Sequence, residues 1–213
     1  AGLDPVRVRR WFQAHHGMTF QAYQRGRRLG RALGQLSLGG DILSTAYGNG
    51  FDSLSGFNDA VQRLAGDSPG RSRDATVVRL TRVPTPLGPM LAGATDDALC
   101  LLEFADRRML ETQLKRIRRQ LGALLVPGET DVTRRVAAEL EEYFAGARTV
   151  FTVPLSTTGT AFQQEVWAEL RTIPYGQTRS YGEQARRIGR PDAVRAVARA
   201  NGDNRLAIVI PCH

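Results

Sequence analysis

The chain has 213 residues, 42% of them hydrophobic and 23% charged, an ordinary globular composition that excludes a disordered, collagen-like or fibrous protein and leaves room for one large or two small domains. Its longest apolar runs, such as Leu206 to Ile210, fall far short of the roughly 20 residues needed to span a bilayer, so no membrane is expected among its partners. Of 29 basic residues only Lys115 is a lysine; 10 face 5 acids over residues 1–73, 11 face 11 over 74–150 and 8 face 5 over 151–213, so the ends are basic and suited to phosphates, the middle neutral.

Two cysteines, Cys100 and Cys212, and three histidines fit neither a disulfide framework nor a four-ligand zinc site, which points to a reducing cytoplasm and no metal. Opening at Ala1 and stopping at His213 just after an apolar run, the sequence reads as a piece of a longer one. Asp4-Pro5 is a helix-start signal, and a helix to about His15 should follow, broken at Gly17-Met18. Thr19 caps a second helix in which Phe20, Tyr23, Leu29, Leu33 and Leu36 recur at helical spacing, while Gly26, Gly30 and Gly34 weaken it or allow close packing. A short helix over Asp41 to Tyr47 ends at Gly48-Asn49-Gly50, and Asp52 or Ser53 caps a fourth with Phe57, Val61 and Leu64 on one face.

The polar, turn-rich stretch Gly66 to Asp74 is the expected domain boundary. Val77 to Leu80, Met90 to Ala94 and Ala98 to Phe104 read as strands, the last two a hairpin about Asp96-Asp97 with Cys100 as a small core residue. Helices near 107–121 and 130–145 are separated by a Pro127-Gly128 break, and Phe151 to Leu155 reads as a short strand. Capping boxes at Thr160/Gln163 and Ser180/Glu183 start two helices; Gly189 ends the second and Pro191 opens a third to about Ala200. This is a helix-turn-helix arrangement. Leu206 to Ile210 then reads as a buried strand stopped by Pro211, followed by Cys212 and His213.

A cysteine at the end of a buried strand sits on a rigid support, and a basic neighbour would make its thiolate a useful nucleophile. The alternative reading is that Cys212 packs in the core and His213 caps the strand end, since neighbours on an extended strand point to opposite faces.

The wider text decides between them. Thr160 to Trp167, Ile173-Pro174-Tyr175-Gly176, Ser180-Tyr181, Ala193 to Val197 and Ile208 to His213 resemble, in order and spacing, the O6-alkylguanine-DNA alkyltransferases. Trp11-Phe12, Gly17-Met18-Thr19, Tyr23 and Arg28-Leu29, with Ala46-Tyr47, Gly50-Phe51, Ser53 and Phe57, resemble AraC-type helix-turn-helix domains. The whole is similar to the bacterial Ada-type proteins. The resemblance implies an all-α reader over 1–66, a linker over 67–74, a sheet-plus-helix subdomain over 75–155 and a catalytic and DNA-binding helix-turn-helix subdomain over 156–213, α/β (α+β) in class, with both outer segments incomplete.

By the same resemblance Cys212 attacks the alkyl carbon on guanine O6 in duplex DNA and keeps it, so each molecule acts once as a methylated-DNA–protein-cysteine methyltransferase and needs no cofactor. His213 helps to form the thiolate. Arg195 fills the stack vacated by the flipped base, Tyr181 crowds the target's phosphate, Ala193 and Ala196 permit close approach to the minor groove, and Asn204 orders the turn beside the active site. Residues 1–66 would read promoter DNA, and the protein would be a monomer of the bacterial cytoplasm and nucleoid. The competing reading is a non-catalytic transcription regulator or lesion-binding relative. Three positions depart from the family pattern. Gly182 replaces a DNA-contacting glutamine and Arg190 a helix-capping residue, while Gln184 stands at a usually apolar site, which predicts looser packing or an amide turned outward.

Overall fold

The computed structural model describes residues 4–16, 19–37, 39–65 and 76–212. The Gly17-Met18 break, the Gly66 to Asp74 linker, His213 and the side chain of Leu64 lie outside the described residues.

Four helices come first: α1 (Pro5–His16), α2 (Phe20–Ser37), α3 (Ile42–Gly48) and α4 (Leu54–Ala65). Their starts follow the predicted caps. Asp4 Oδ1 accepts from the Val6 N–H at 2.9 Å, Thr19 Oγ1 from Ala22 at 3.2 Å, Asp41 Oδ2 from Ser44 at 2.9 Å and Ser53 Oγ from Gly56 at 3.1 Å, each satisfying a donor that the first helical turn leaves open. Leu29, Leu33, Leu36, Ala46, Phe57 and Val61 form the core of this domain, whereas Phe20 is exposed.

The second part is built on a four-stranded sheet of order β3-β2-β1-β4, with β1 (Val77–Val83), β2 (Met90–Ala94), β3 (Leu99–Phe104) and β4 (Leu124–Pro127). The β2–β3 hairpin is antiparallel as predicted. The break expected at Pro127-Gly128 is instead the end of β4, which pairs parallel to β1 with Val78 opposite Leu125. Alternation of side chains divides the sheet into two faces. On one, α5 (Leu110–Leu121) packs Ile117 against Val78, Leu101 and Leu125 around buried Cys100. On the other, α6 (Asp131–Phe144) packs Val132, Val136 and Leu140 against Met90, Ala92 and Leu102. Val136 and Leu140 are fully shielded, worth about 1.5–3 kcal/mol each. Beyond α6, at the β4 end of that face, lies α2, with Leu124 inside the helical domain's core.

Two predicted strands are absent. Phe151 to Leu155 makes one isolated bridge, Leu155 to Leu99. Leu206 to Ile210 is a compact turn: Leu206 bridges Leu102, Ile208 takes a left-handed φ of 70° and the Ile210 N–H returns to Leu206 O at 2.8 Å. The apolar run was a sign of burial, which the turn also achieves, with Leu206 and Ile210 each 1% exposed. The last helices are α7 (Ala161–Leu170), α8 (Tyr181–Arg187), a 3-10 turn (Pro191–Ala193) and α9 (Val194–Gly202); α7, α8 and α9 share a small core of Val166, Ala185, Val197 and Ala200.

Candidate active site and DNA-binding surface

Cys212 is exposed and Cys100 buried, which removes the reading of Cys212 as core filling. The compact turn before it is closed by Asn204. Asn204 Oδ1 accepts from the Leu206 N–H at 2.9 Å, while Nδ2 donates to Ile210 O at 2.8 Å and reaches Cys212 Sγ at 3.2 Å. On its other side the sulfur lies 3.9 Å from Asn201 O. The buried amide of Asn204 therefore holds both ends of the loop and aims an N–H at the sulfur, the partner a negative sulfur takes. A hollow of about 280 Å³ bounded by Tyr143, Phe151, Ile173, Tyr175 and Val209 touches Pro211, but Cys212 is not among its walls.

The turn carrying Asn204 is gripped from the sheet subdomain. Arg107, paired with buried Glu103, donates to Gly202 O at 3.0 Å. Arg116 reaches Asp203 Oδ1 at 2.5 Å, and Gln163 of α7 donates to Asp203 Oδ2 at 2.9 Å. Arg205, 3% exposed, donates to Gln120 Oε1 at 2.8 Å and Thr158 Oγ1 at 3.1 Å and lies 5.8 Å above the Trp167 ring. The backbone of β3 joins in, with Leu102 N–H to Arg205 O and Ala207 N–H to Leu102 O, both 2.8 Å. Burial pushes the Glu103 carboxyl above its ordinary range despite the opposing Arg107 charge, and burial pulls Arg205 down, helped by Arg116. Apart from the Arg107–Glu103 pair, four residues apart, these contacts had no local signature, because they join groups about 40 to 100 positions apart in sequence.

The helix-turn-helix forms as its capping boxes predict: Thr160 Oγ1 accepts from the Gln163 N–H and Ser180 Oγ from that of Glu183, both at 3.2 Å. Tyr181, the first residue of α8, is 43% exposed. Ala193 closes the 3-10 turn half-buried, and Arg195 and Ala196 at the start of α9 are exposed. No hydrogen bond or ring contact joins Tyr181 or Arg195 to Cys212 among the described residues. Arg179 and Arg187 are paired with Glu169, and Arg190 with Glu165; Arg195 and Arg199 have no ion pair among the described residues, leaving two cations on α9. Arg190 makes no cap and instead stacks 5.6 Å from the Phe162 ring. Gly182 faces open space, its nearest neighbour the Arg186 guanidinium 3.8 Å from a built Cβ.

Gln184 is not turned outward. It is 1% exposed, its Oε1 accepting from Asn201 Nδ2 at 2.9 Å, while Gln184 Nε2 and Asn201 Oδ1 find no protein partner. A polar pair thus ties α8 to the residue whose carbonyl faces Cys212. Asn201 escaped the sequence reading altogether, since an asparagine near a helix end ordinarily marks only a stop.

Comparison with known proteins matches residues 161–213 to the 6-O-methylguanine DNA methyltransferase DNA-binding domain and residues 1–75 to a helix-turn-helix domain. Over 64% of its length the chain is 45% identical to the methylated-DNA–protein-cysteine methyltransferase of Mycolicibacterium paratuberculosis, covering 77% of that protein. The chain belongs to the methylated-DNA–protein-cysteine methyltransferase family. Within that family its arrangement is the Ada-like one: over 99% of its length it is 33% identical to the bifunctional transcriptional activator/DNA repair enzyme Ada of Escherichia coli K12, of which it spans 60%. Methyltransferase structures share its mixed sheet and helices. The crystal structure of Mycobacterium tuberculosis O6-methylguanine methyltransferase matches with a TM-score of 0.54 at 39% identity, covering 64% of this chain and 76% of that one. A structure of the M. tuberculosis OGT in complex with DNA matches at 0.52 and 39%, with the same coverage.

Proposed function

We propose that this chain repairs DNA by taking the alkyl group of O6-alkylguanine onto Cys212, and that its helical domain reads promoter DNA. The observation that carries the reading is the exposed Sγ of Cys212 held at 3.2 Å by the amide of a buried asparagine, beside a helix-turn-helix whose α9 presents Arg195. In the reaction the thiol loses its proton, with His213 as the base, and the sulfur forms a bond to the alkyl carbon as the carbon–O6 bond breaks. The electron pair of the broken bond stays on the nucleobase, which takes up a proton and remains in the DNA as guanine. The thioether persists, so one molecule repairs one lesion.

The target must first leave the helix, at a cost of a few kcal/mol. Tyr181 crowds its phosphate, Arg195 fills the gap, and the small side chains of Ala193 and Ala196 let α9 approach the minor groove. Residues 1–66 form the promoter reader and 67–74 the linker; 75–155 form the supporting subdomain and 156–213 the reactive one. The protein acts as a monomer in the bacterial cytoplasm.

The test is to incubate the full-length protein with duplex containing O6-methylguanine and weigh the peptide bearing Cys212. One added methyl group per molecule is expected, and none from Cys212→Ala. An unmodified Cys212 peptide together with retained duplex binding would reject the repair reading in favour of a non-catalytic regulator.

A further inference from the structure

Helix α2 carries Gly26, Gly30 and Gly34 one turn apart, a costly choice for a helix interior. All three point at the sheet. A Cβ built on Gly26 would lie 2.6 Å from Pro127 Cδ, and one on Gly30 2.7 Å from Val126 Cγ2. Neither a proline ring nor a valine methyl can swing aside, so the backbone of α2 sits directly on β4. Gly34 contributes less, because it meets only the movable guanidinium of Arg79 at 3.0 Å. A second observation is independent of the glycines: Leu124, on the same face of β4 as Val126, is 5% exposed and packs in one cluster with Leu29, Leu33 and Phe57. Strand β4 is the edge of the sheet, a position that needs covering.

We propose that the β1–β4 end of the methyltransferase sheet is a dedicated docking surface for the chain's own helical domain. The sheet completes that domain's core, and the two DNA-reading units are held in one fixed orientation. Substitutions in the repair half then alter the stability of the promoter-reading half.

The sign of an alanine substitution tests this in the whole chain. On a helix facing water, Gly→Ala raises the melting temperature, through better helix propensity and a less flexible unfolded state. On the docked helix, Gly30→Ala is expected to lower it, and Gly182→Ala, with nothing closer than 3.8 Å, to raise it. Adding Val126→Ala should make the double variant more stable than the two single losses predict. As a second measurement, Val126→Ala alone should speed amide exchange of residues 29–36 in α2, with melting independent of protein concentration. A rise in melting temperature for Gly30→Ala, or unchanged exchange in α2, would overturn the docking. Concentration-dependent melting would overturn it in favour of an exchange of helical domains between two copies.

Discussion

The amide of Asn204 stands between Cys212 and the backbone that carries it: Nδ2 is 3.2 Å from the sulfur and 2.8 Å from Ile210 O. Asn204→Ala removes these contacts and the one to Leu206, leaving buried groups unpartnered. Urea unfolding is expected to show a loss of about 2–4 kcal/mol. Methyl transfer, measured as a second-order rate on methylated duplex, should slow by roughly 10²-fold as the sulfur loses its placement. Asn204→Asp, which keeps the acceptor for Leu206 but not the donor to sulfur, should recover part of the stability and little of the rate.

Arg195 is exposed on α9 without an ion pair among the described residues, so its proposed work is done only on DNA. Arg195→Ala should leave the melting temperature within a degree or so, as surface changes do. It should slow transfer from duplex by about tenfold or more, since a few kcal/mol of base extrusion then lack an offsetting contact. Reaction with the free base O6-methylguanine should barely change. Equal slowing on both substrates would count against the stacking role.

The two thiols should differ sharply toward an alkylating reagent. Cys100 is 0% exposed, its thiol donates to Gly93 O at 3.2 Å, and burial pushes its pKa up to about 12, so it stays a neutral thiol at pH 8. Iodoacetamide on the native protein is expected to modify Cys212 alone, with Cys100 reacting only after denaturation. Peptide mass spectrometry reads the result.

Glu139 in α6 links acidity to stability. Burial alone would raise its carboxyl, but hydrogen bonds from the Thr152 hydroxyl at 2.5 Å and N–H at 2.9 Å, with Arg135 and the Val153 N–H, outweigh it and hold the group below the ordinary glutamate value. A depressed native pKa gives stability that is present above the unfolded value, about 4.3, and is lost as pH falls through the native one. Melting temperature should drop on acidification below about pH 4.3. Glu139→Gln should flatten part of that drop and cost about 1.5–3 kcal/mol at neutral pH.

What could be read from the sequence was what is locally determined. The capping boxes at Thr160 and Ser180, the hairpin at Asp96-Asp97 and the caps Thr19 and Asp41 are set by side chains within three residues of the backbone groups they satisfy. The short run Leu124–Pro127 carried no such mark, because its partner in the parallel pairing, Val77–Leu80, lies beyond an entire helix. Leu206 to Ile210 misled for another reason: five apolar residues report burial, and only Asn204, whose side chain bonds to Leu206 and Ile210, makes them a turn. The proposed nucleophile Cys212 and the nearby Asn204 were nominated by family resemblance; Arg116 and Arg205 were not, since their contacts to Asp203 and Gln120 exist only once the subdomains meet, nor was Asn201, whose partners Gln184 and Cys212 lie on other elements.

The hold that Arg107, Arg116 and β3 exert on residues 202–207 limits how freely evolution or engineering can trade parts of this protein. A fragment spanning only 156–213 would contain each side chain assigned to chemistry, yet its central loop would have surrendered the guanidinium and peptide groups that shape it. Transplanting that fragment onto another scaffold should therefore misplace the thiol, and because Leu124 of the sheet also sits in the helical domain's core, the border with that domain is no cleaner a place to cut.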